Sequence, residues 1–235
     1  MFKEFARVDV LGKVTGTARY AEDIRFPDMV YGTMVRSSVA HGRILEIDAS
    51  EAVAMEGVLG VLTAKDIPGS PGKPKERPVL VPEIVRFIGD GVALVVAESQ
   101  KLAREAARKV KVTYEEFPAV FDPEEALREG ARAIHGESNL EKTIKLRHGD
   151  IEAGFAQADV ILEENVSTHR VQHVTIEPES AVAVPDADGV TVYCPSKSPF
   201  NVRRVIAETL GIPIARSRLI SSVVGGSFGG KDYDM

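Results

Sequence analysis

The part of this sequence best suited to binding or chemistry is a glycine-rich run, Gly225-Gly226-Ser227-Phe228-Gly229-Gly230-Lys231. Four glycines in its first six positions remove side chains, so backbone N–H groups can approach a ligand closely. Successive amides in such a loop can form a concave site for an anion. Phe228 would place a bulky, flat ring in an otherwise bare loop. The run predicts either a binding loop or a tight bend between strands, and its glycine content is equally compatible with both.

The same run fits the frame G-x-x-x-x-G-K of a phosphate-binding P-loop, from Gly225 to Lys231. That motif continues with Ser or Thr, whose hydroxyl holds Mg²⁺, and then with a helix. Asp232 stands in the hydroxyl position, and its carboxylate would repel phosphate. A stand-alone phosphate binder is therefore the weaker interpretation.

Three potential metal ligands, His169, His173 and Glu177, are spaced four residues apart, which would place them on one face of a helix. The residues between them are mostly β-branched and Pro178 follows, so a strand or irregular segment is favoured, in which the three would not converge. We therefore predict no metal site here.

Cys194 is the only cysteine, so the sequence can form neither an internal disulfide nor a four-cysteine cluster site. A buried, unreactive thiol is expected.

Composition disfavours several classes of function. Of 235 residues, 44% are hydrophobic and 27% charged, as in ordinary soluble globular proteins, and the net charge is −6. The negative charge argues against nucleic acid and anionic membranes as partners. No apolar stretch approaches the ~20 residues of a membrane span. The charged N-terminus lacks an apolar signal segment, so a cytoplasmic protein is expected.

Hydrophobic periodicity and turn signals predict an α+β fold with many short strands and short helices. Isolated strands are predicted at Val30–Arg36, Val58–Leu62, Val160–Thr168 and Ser217–Val224. Two hairpins are predicted, Ile84–Ile88 with Val92–Ala97 through Gly89-Asp90-Gly91, and Ala181–Pro185 with Val190–Tyr193 through Asp188-Gly189. Helices are predicted over Gln100–Lys109, from Asp122 to Gly130, from Asp150 to about Ala158, and from Ser198 to Gly211.

Several stretches form an ordered set that spans nearly the whole sequence. They are Arg7–Asp9 with Gly12–Tyr20, Arg36–Ile44, Gly57–Pro68, Val85–Asp90, Gln172–Pro178 and Gly225–Lys231. Together they resemble the large, molybdenum-binding subunit of the xanthine dehydrogenase and aldehyde oxidase family. The resemblance implies an α/β hammerhead domain over residues 1–130, a linker over 131–149, and the N-terminal part of a molybdenum-cofactor-binding domain over 150–235.

The resemblance also implies a chemistry. Enzymes of this family hold molybdenum through a pterin dithiolene, often as a cytosine dinucleotide, and hydroxylate a carbon of an N-heterocycle or aldehyde with oxygen from water. Electrons then pass to iron–sulfur and FAD sites, here expected on other subunits. The family pattern assigns cofactor contacts to Gly225, Gly226, Ser227, Phe228 and Gly229, and a wall of the substrate pocket to Phe228. Backbone donors suit oxo and pterin acceptors, and an aromatic wall suits a flat substrate.

Two positions depart from the family pattern. Purine-hydroxylating members have a glutamate that contacts substrate where this sequence has Asp232, which keeps the charge with a shorter reach. Many members place a glutamine near the metal, thirteen residues before the leucine of a Leu-Gly pair, and that position is Lys197 here. We assign Asp232 to the substrate and Lys197 to the cofactor, where a lysine can donate but not accept a hydrogen bond.

The family's subunit continues for several hundred residues, which carry the second cofactor-binding domain, most pterin contacts and the glutamate that acts as general base. We therefore expect this chain to supply no catalytic residue and to be inactive alone. A half-built domain would expose a large apolar face. We expect partners that carry the second cofactor domain, the iron–sulfur clusters and FAD. The alternative is a scaffold or assembly subunit, or a truncated fragment, without cofactor.

Overall fold

The computed structural model describes residues 7, 9–69 and 78–231, so Asp232 lies outside the described residues. The helices are α1 (Val10–Val14), α2 (Ser50–Val53), α3 (Gln100–Ala107), α4 (Pro123–Ala126), α5 (Ile151–Ala156) and α6 (Pro199–Leu210). The strands are β1 (Tyr31–Arg36), β2 (Gly42–Asp48), β3 (Val58–Thr63), β4 (Ile84–Val85), β5 (Gly91–Ala97), β6 (Lys111–Glu116), β7 (Val182–Pro185), β8 (Val190–Cys194) and β9 (Ser217–Ser221). Short helices and short strands confirm the predicted α+β fold. Among the described helices, none has both the length and the apolar character needed to cross a bilayer.

The first sheet has the order β1-β5-β3, with both outer strands antiparallel to β5. Strand β5 is almost entirely apolar, and Val92 and Val95 are fully buried, as expected of a central strand covered on both faces. Helix α3 packs on this sheet through Ala103 and Ala106, which are also fully buried. Ser99 is the N-cap of this helix, and its Oγ accepts a hydrogen bond from the Leu102 amide at 3.2 Å.

The second sheet, with the order β4-β2-β6, overturns one predicted hairpin. The triplet Gly89-Asp90-Gly91 does form a turn, in which an Asp90 carboxylate oxygen accepts from the Arg86 amide at 2.7 Å. However, β4 pairs with β2, whereas β5 pairs with β1 and β3. The hairpin prediction was wrong because both edges of β5 are already occupied, so the turn carries the chain from one sheet to the other.

The third sheet, β7-β8-β9, contains the second predicted hairpin, which is confirmed. An Asp186 carboxylate oxygen accepts from the amides of Asp188 and Gly189 and closes the turn. Strand β9 runs parallel to β8, and α6 makes the crossover between them and packs on β9. Gly211 caps the C-terminus of this helix in the left-handed conformation (φ 64°). From the end of β9 the chain continues through residues 222–224 into the glycine-rich run.

Other predicted boundaries require correction. Val160–Thr168 was predicted to be a strand but has no regular structure, and its apolar side chains are exposed. No strand within the described residues pairs with this segment, and an isolated extended segment is not stable in water. Helix α4 ends at Ala126 rather than near Gly130, and β9 ends at Ser221 rather than Val224. No helix or strand occurs between Leu127 and Asp150.

Candidate functional site

The glycine-rich run Gly225–Lys231, here called the glycine loop, has an unusual backbone. Gly226, Phe228 and Gly229 all have positive φ values, of 111°, 49° and 92°. Two of the three are glycines, for which this conformation carries no Cβ penalty. Phe228 is not, and a residue in this region of φ costs free energy that the surrounding structure must offset. The loop therefore has a conformation that differs from a continuation of β9.

Both ends of the glycine loop are bonded to Glu177. The amide of Gly225 donates to Oε2 of Glu177 at 2.6 Å, and Nζ of Lys231 donates to the same oxygen at 2.7 Å. Nζ of Lys231 also donates to the backbone carbonyl of Glu177 at 3.0 Å. The Lys231 and Glu177 side chains are 1% and 5% exposed. This ion pair is therefore buried, and a buried carboxylate with charge-assisted donors is held firmly in place.

Close packing explains why Gly225 must lack a side chain. A Cβ built on Gly225 would lie closer than 3.0 Å to Cβ of Glu177, and 3.2 Å from the ring of Tyr20. The backbone of Gly225 also accepts a hydrogen bond from the Glu177 amide at 3.3 Å. The first residue of the glycine loop and Glu177 thus approach each other as closely as two backbones in a sheet.

The middle of the glycine loop presents free donors. The Gly230 amide donates to the Ser227 carbonyl at 2.8 Å, and the Lys231 amide donates to Oγ of Ser227 at 3.3 Å. By contrast, the four consecutive amides of residues 226–229 have no acceptor among the described residues. Four adjacent unpaired N–H groups suit a ligand rich in oxygen acceptors, such as an oxo, phosphate or pterin group. The residues present therefore fit a molybdenum pterin.

The segment before Glu177 lies along the glycine loop. A Cβ on Gly230 would be 3.2 Å from the ring of His173, and Oγ1 of Thr175 donates to the Glu177 carbonyl at 2.8 Å. The ring of Phe228 is 76% exposed, so it projects away from the protein. One oxygen of Glu177, Oε1, is buried with no partner in the part of the chain that the structure describes.

The sequence-predicted site residues are partly brought together. The Lys197 amide donates to the Lys231 carbonyl at 3.2 Å, so Lys197 lies beside the glycine loop with an exposed side chain. Gly225, Gly226, Ser227, Phe228 and Gly229 form the loop itself. The position of Asp232 is not described. His169, His173 and Glu177 do not form a metal site, since no group of three His, Cys, Asp or Glu residues within the described ranges could hold a metal ion.

The P-loop interpretation is disfavoured by Lys231. A P-loop lysine must reach the phosphates of the nucleotide, but Nζ of Lys231 is buried against Glu177 and committed to it. The role of Glu177 as partner of Lys231 was missed at the level of sequence. The only features in the sequence that could have suggested this pair were a carboxylate within a segment of β-branched residues and a lysine at the end of the glycine-rich run.

Cys194, at the end of β8, is buried in the core of the third sheet with Val190, Val192 and Val202. Burial raises the pKa of its thiol to about 11, because the thiolate would lose its hydration. A thiol in this state is neither a nucleophile nor a metal ligand at neutral pH, as the sequence predicted.

Fold and site together define a class of protein. Small sheets support a loop in which the amides of residues 226–229 have no acceptor among the described residues, an arrangement that suits a cofactor-binding module. Family models agree with this class. Residues 15–118 match the a/b hammerhead domain of aldehyde oxidase and xanthine dehydrogenase, and residues 134–235 match the molybdopterin cofactor-binding domain. The chain belongs to the xanthine dehydrogenase and aldehyde oxidase family.

Individual relatives support the same assignment. The chain is 40% identical to the nicotinate dehydrogenase large molybdopterin subunit of Eubacterium barkeri, over 97% of this chain and 55% of that protein. It is 34% identical to the xanthine dehydrogenase molybdenum-binding subunit of Escherichia coli O157:H7, over 96% of this chain and 32% of that protein. The chain thus spans about half or less of the length of these relatives.

Solved structures show the same fold. The aldehyde oxidoreductase of Desulfovibrio gigas matches with a TM-score of 0.84 at 33% identity, over 96% of this chain and 27% of that one. Quinoline 2-oxidoreductase of Pseudomonas putida 86 matches with a TM-score of 0.85 at 28% identity, over 97% of this chain and 31% of that one.

Proposed function

We propose that this chain forms one wall of the molybdopterin site in a cytoplasmic molybdenum hydroxylase, and that a partner chain completes the site. The observation that carries the proposal is the row of four amides at residues 226–229 that have no acceptor among the described residues, inside the region that matches a molybdopterin cofactor-binding domain. Donors held in place before the ligand arrives cost no reorganisation when it binds.

The proposed contacts follow from the geometry of the glycine loop. The amides of Gly226, Ser227, Phe228 and Gly229 would donate to oxygen acceptors of the cofactor, and the Phe228 ring would form a wall of the substrate pocket. Lys197, beside the loop, would donate from its ammonium group. The bound group would supply hydroxylation of carbon with oxygen from water. This chain would supply binding and orientation, not proton transfer.

The proposed substrate is an N-heterocycle or an aldehyde. Relatives and structural neighbours are named for nicotinate, xanthine, quinoline and aldehydes. These substrates are small molecules whose reacting carbon is trigonal and planar, and a flat aromatic side chain can pack against such a group. Asp232 would contact the substrate with a shorter side chain than glutamate.

We further propose that the chain works only in an assembly. The apolar side chains of Leu162, Val166 and Ile176 are more than 80% exposed, and soluble proteins seldom leave such a stretch uncovered. A chain that carries the second cofactor domain would cover them, with iron–sulfur and FAD subunits receiving the electrons. Within this chain, the domain division would fall at residues 131–149.

Purification from native cells under mild conditions tests the proposal. Co-purifying proteins are identified by mass spectrometry, and molybdenum and pterin are assayed in the same sample. We expect molybdenum, a second cofactor-domain chain and an iron–sulfur chain. A chain that purifies alone and free of molybdenum would instead support the scaffold or fragment alternative.

A further inference from the structure

We propose that Glu177 and Lys231 act as a latch that holds the glycine loop open for its ligand, which makes both of them positioning residues. This inference rests on the proposed function of the glycine loop. Both side chains are almost completely buried, at 1% exposed for Lys231 and 5% for Glu177, so neither lies on the surface that the amides of residues 226–229 present. Their effect on the ligand would therefore pass through the backbone amides between them.

The latch joins the two ends of the loop at one atom. Oε2 of Glu177 accepts from the Gly225 amide at 2.6 Å and from Nζ of Lys231 at 2.7 Å. These contacts span 48 and 54 residues of sequence. A single carboxylate oxygen thus fixes the first and last residues of the loop to a segment outside the loop.

Holding the ends has a consequence for the middle of the loop. A flexible glycine loop tends to satisfy its own amides with nearby carbonyls, because unpaired N–H groups are costly away from water. Here the internal bonds made by the loop are confined to its second half, from Gly230 and Lys231 back to Ser227. The donors at residues 226–229 remain unpaired within the described chain. Preorganisation of this kind lowers the entropic cost of binding.

The opposite charges of Glu177 and Lys231 strengthen the attachment of the loop end. A buried lysine without an anion is strongly unfavourable, so Lys231 cannot leave Glu177 unless the loop opens to water. Lys231 also makes a second bond to the Glu177 carbonyl at 3.0 Å, which fixes the ammonium group in two directions. The latch therefore resists displacement of the loop end toward or away from the protein.

Hydrogen exchange in the native assembly tests the latch directly. Four variants are compared with the parent: Glu177→Gln, Lys231→Met, the double variant Glu177→Met with Lys231→Met, and Glu179→Gln as a control. Glu179 is an exposed carboxylate two residues from Glu177. Exchange is followed by mass spectrometry in a peptide that contains the glycine loop and in one that contains β5 as internal reference. Molybdenum per chain is measured after dialysis of each protein.

Within the loop peptide, the amides of Gly225, Gly230 and Lys231 are hydrogen-bonded, and we expect them to exchange about 10- to 100-fold faster in the three latch variants, because the bonds of Glu177 and Lys231 that hold the loop ends are lost. The β5 peptide and the Glu179→Gln control should match the parent. Molybdenum retention should fall in the latch variants while β5 stays protected, which a purely structural role would not produce. Where molybdenum remains, its Mo(V) electron paramagnetic resonance spectrum should shift.

Three results separate this inference from the proposed function. Unchanged loop exchange in all latch variants overturns the latch, whatever the molybdenum content. Faster loop exchange with parental molybdenum retention and spectrum overturns the positioning role. A parent without molybdenum overturns the proposed function, and the exchange comparison alone then decides the latch. If Glu177→Gln unfolds the protein, the apolar double variant decides, because a buried ion pair replaced on both sides often leaves stability intact.

Discussion

Nζ of Lys231 lies 2.7 Å from Oε2 of Glu177, across 54 residues of sequence, and both side chains are almost completely shielded from water. Removing two charges from water costs free energy that their mutual attraction often fails to offset. Here two further hydrogen bonds reduce the cost, because the Gly225 amide donates to the same carboxylate and Nζ of Lys231 also donates to the Glu177 carbonyl. Such a pair is better explained by the placement of the glycine loop than by stability.

Glu177→Gln should destabilise the protein strongly. The substitution leaves the Lys231 ammonium buried without its anion, and breaking a buried pair in this way typically costs about 3–5 kcal/mol. Chemical denaturation of the variant and the parent measures the difference. Glu179→Gln, in the same segment but exposed, should change the free energy of unfolding by less than about 0.5 kcal/mol. Equal unfolding midpoints for Glu177→Gln and the parent would show that the pair is not formed in solution.

Two glycine-to-alanine substitutions should have opposite effects. Gly225→Ala places a methyl group against Cβ of Glu177 and should displace the loop, lowering both stability and molybdenum content. Gly154, in the middle of α5, has open space around its Cα, so Gly154→Ala should raise stability by up to about 1 kcal/mol through helix propensity. Thermal unfolding and molybdenum analysis of both variants provide the comparison. A Gly225→Ala protein with parental stability and metal content would contradict the close packing described for this position.

The parts that the sequence predicted correctly are local. The hairpin of β7 and β8 follows from the turn at Asp188-Gly189, where the two strands are consecutive and short-range bonds decide the pairing. The turn at Gly89-Asp90-Gly91 has equally good local signals, yet its flanking strands join different sheets. Its outcome depends on β1 and β3, which lie far away in sequence, and periodicity carries no information about them.

In the candidate site, too, the features set by neighbouring residues were predicted and those set by distant residues were not. The glycine loop was recognisable because its composition is local and extreme. The Glu177–Lys231 latch was not, because its members are 54 residues apart and a carboxylate in a β-branched segment has several ordinary explanations. The exposed segment around Leu162 was predicted to be a strand from its β propensity. Propensity alone does not form a strand without a neighbour to receive its hydrogen bonds.

Cys194 should resist alkylation in the folded protein. Burial raises the pKa of its thiol to about 11 from an ordinary 9.0, so the thiolate is scarce at pH 8 and is also inaccessible. Because the folded state holds the proton more tightly, this group stabilises the fold below pH 9 and the contribution is lost as pH rises from about 9 through 11. Iodoacetamide labelling at pH 8, with and without denaturant, measures the protection. Rapid labelling of the native protein would place Cys194 outside the core.

Phe228→Ala should separate folding from substrate binding. The ring is 76% exposed and contributes little buried area, so the free energy of unfolding should change by less than about 0.5 kcal/mol. If the ring forms a wall of the substrate pocket in the assembled enzyme, its loss removes about 0.5–1.5 kcal/mol of stacking, which corresponds to a rise in KM of about 2- to 13-fold for a flat heterocycle. An aldehyde without a ring offers no such stacking, so its KM should change less.

Steady-state kinetics with one substrate of each kind, on Phe228→Ala protein with unchanged molybdenum content, measure the difference between the two changes in KM. Equal changes in KM for both substrates would assign Phe228 to the general shape of the loop, and no change for either would remove it from the pocket.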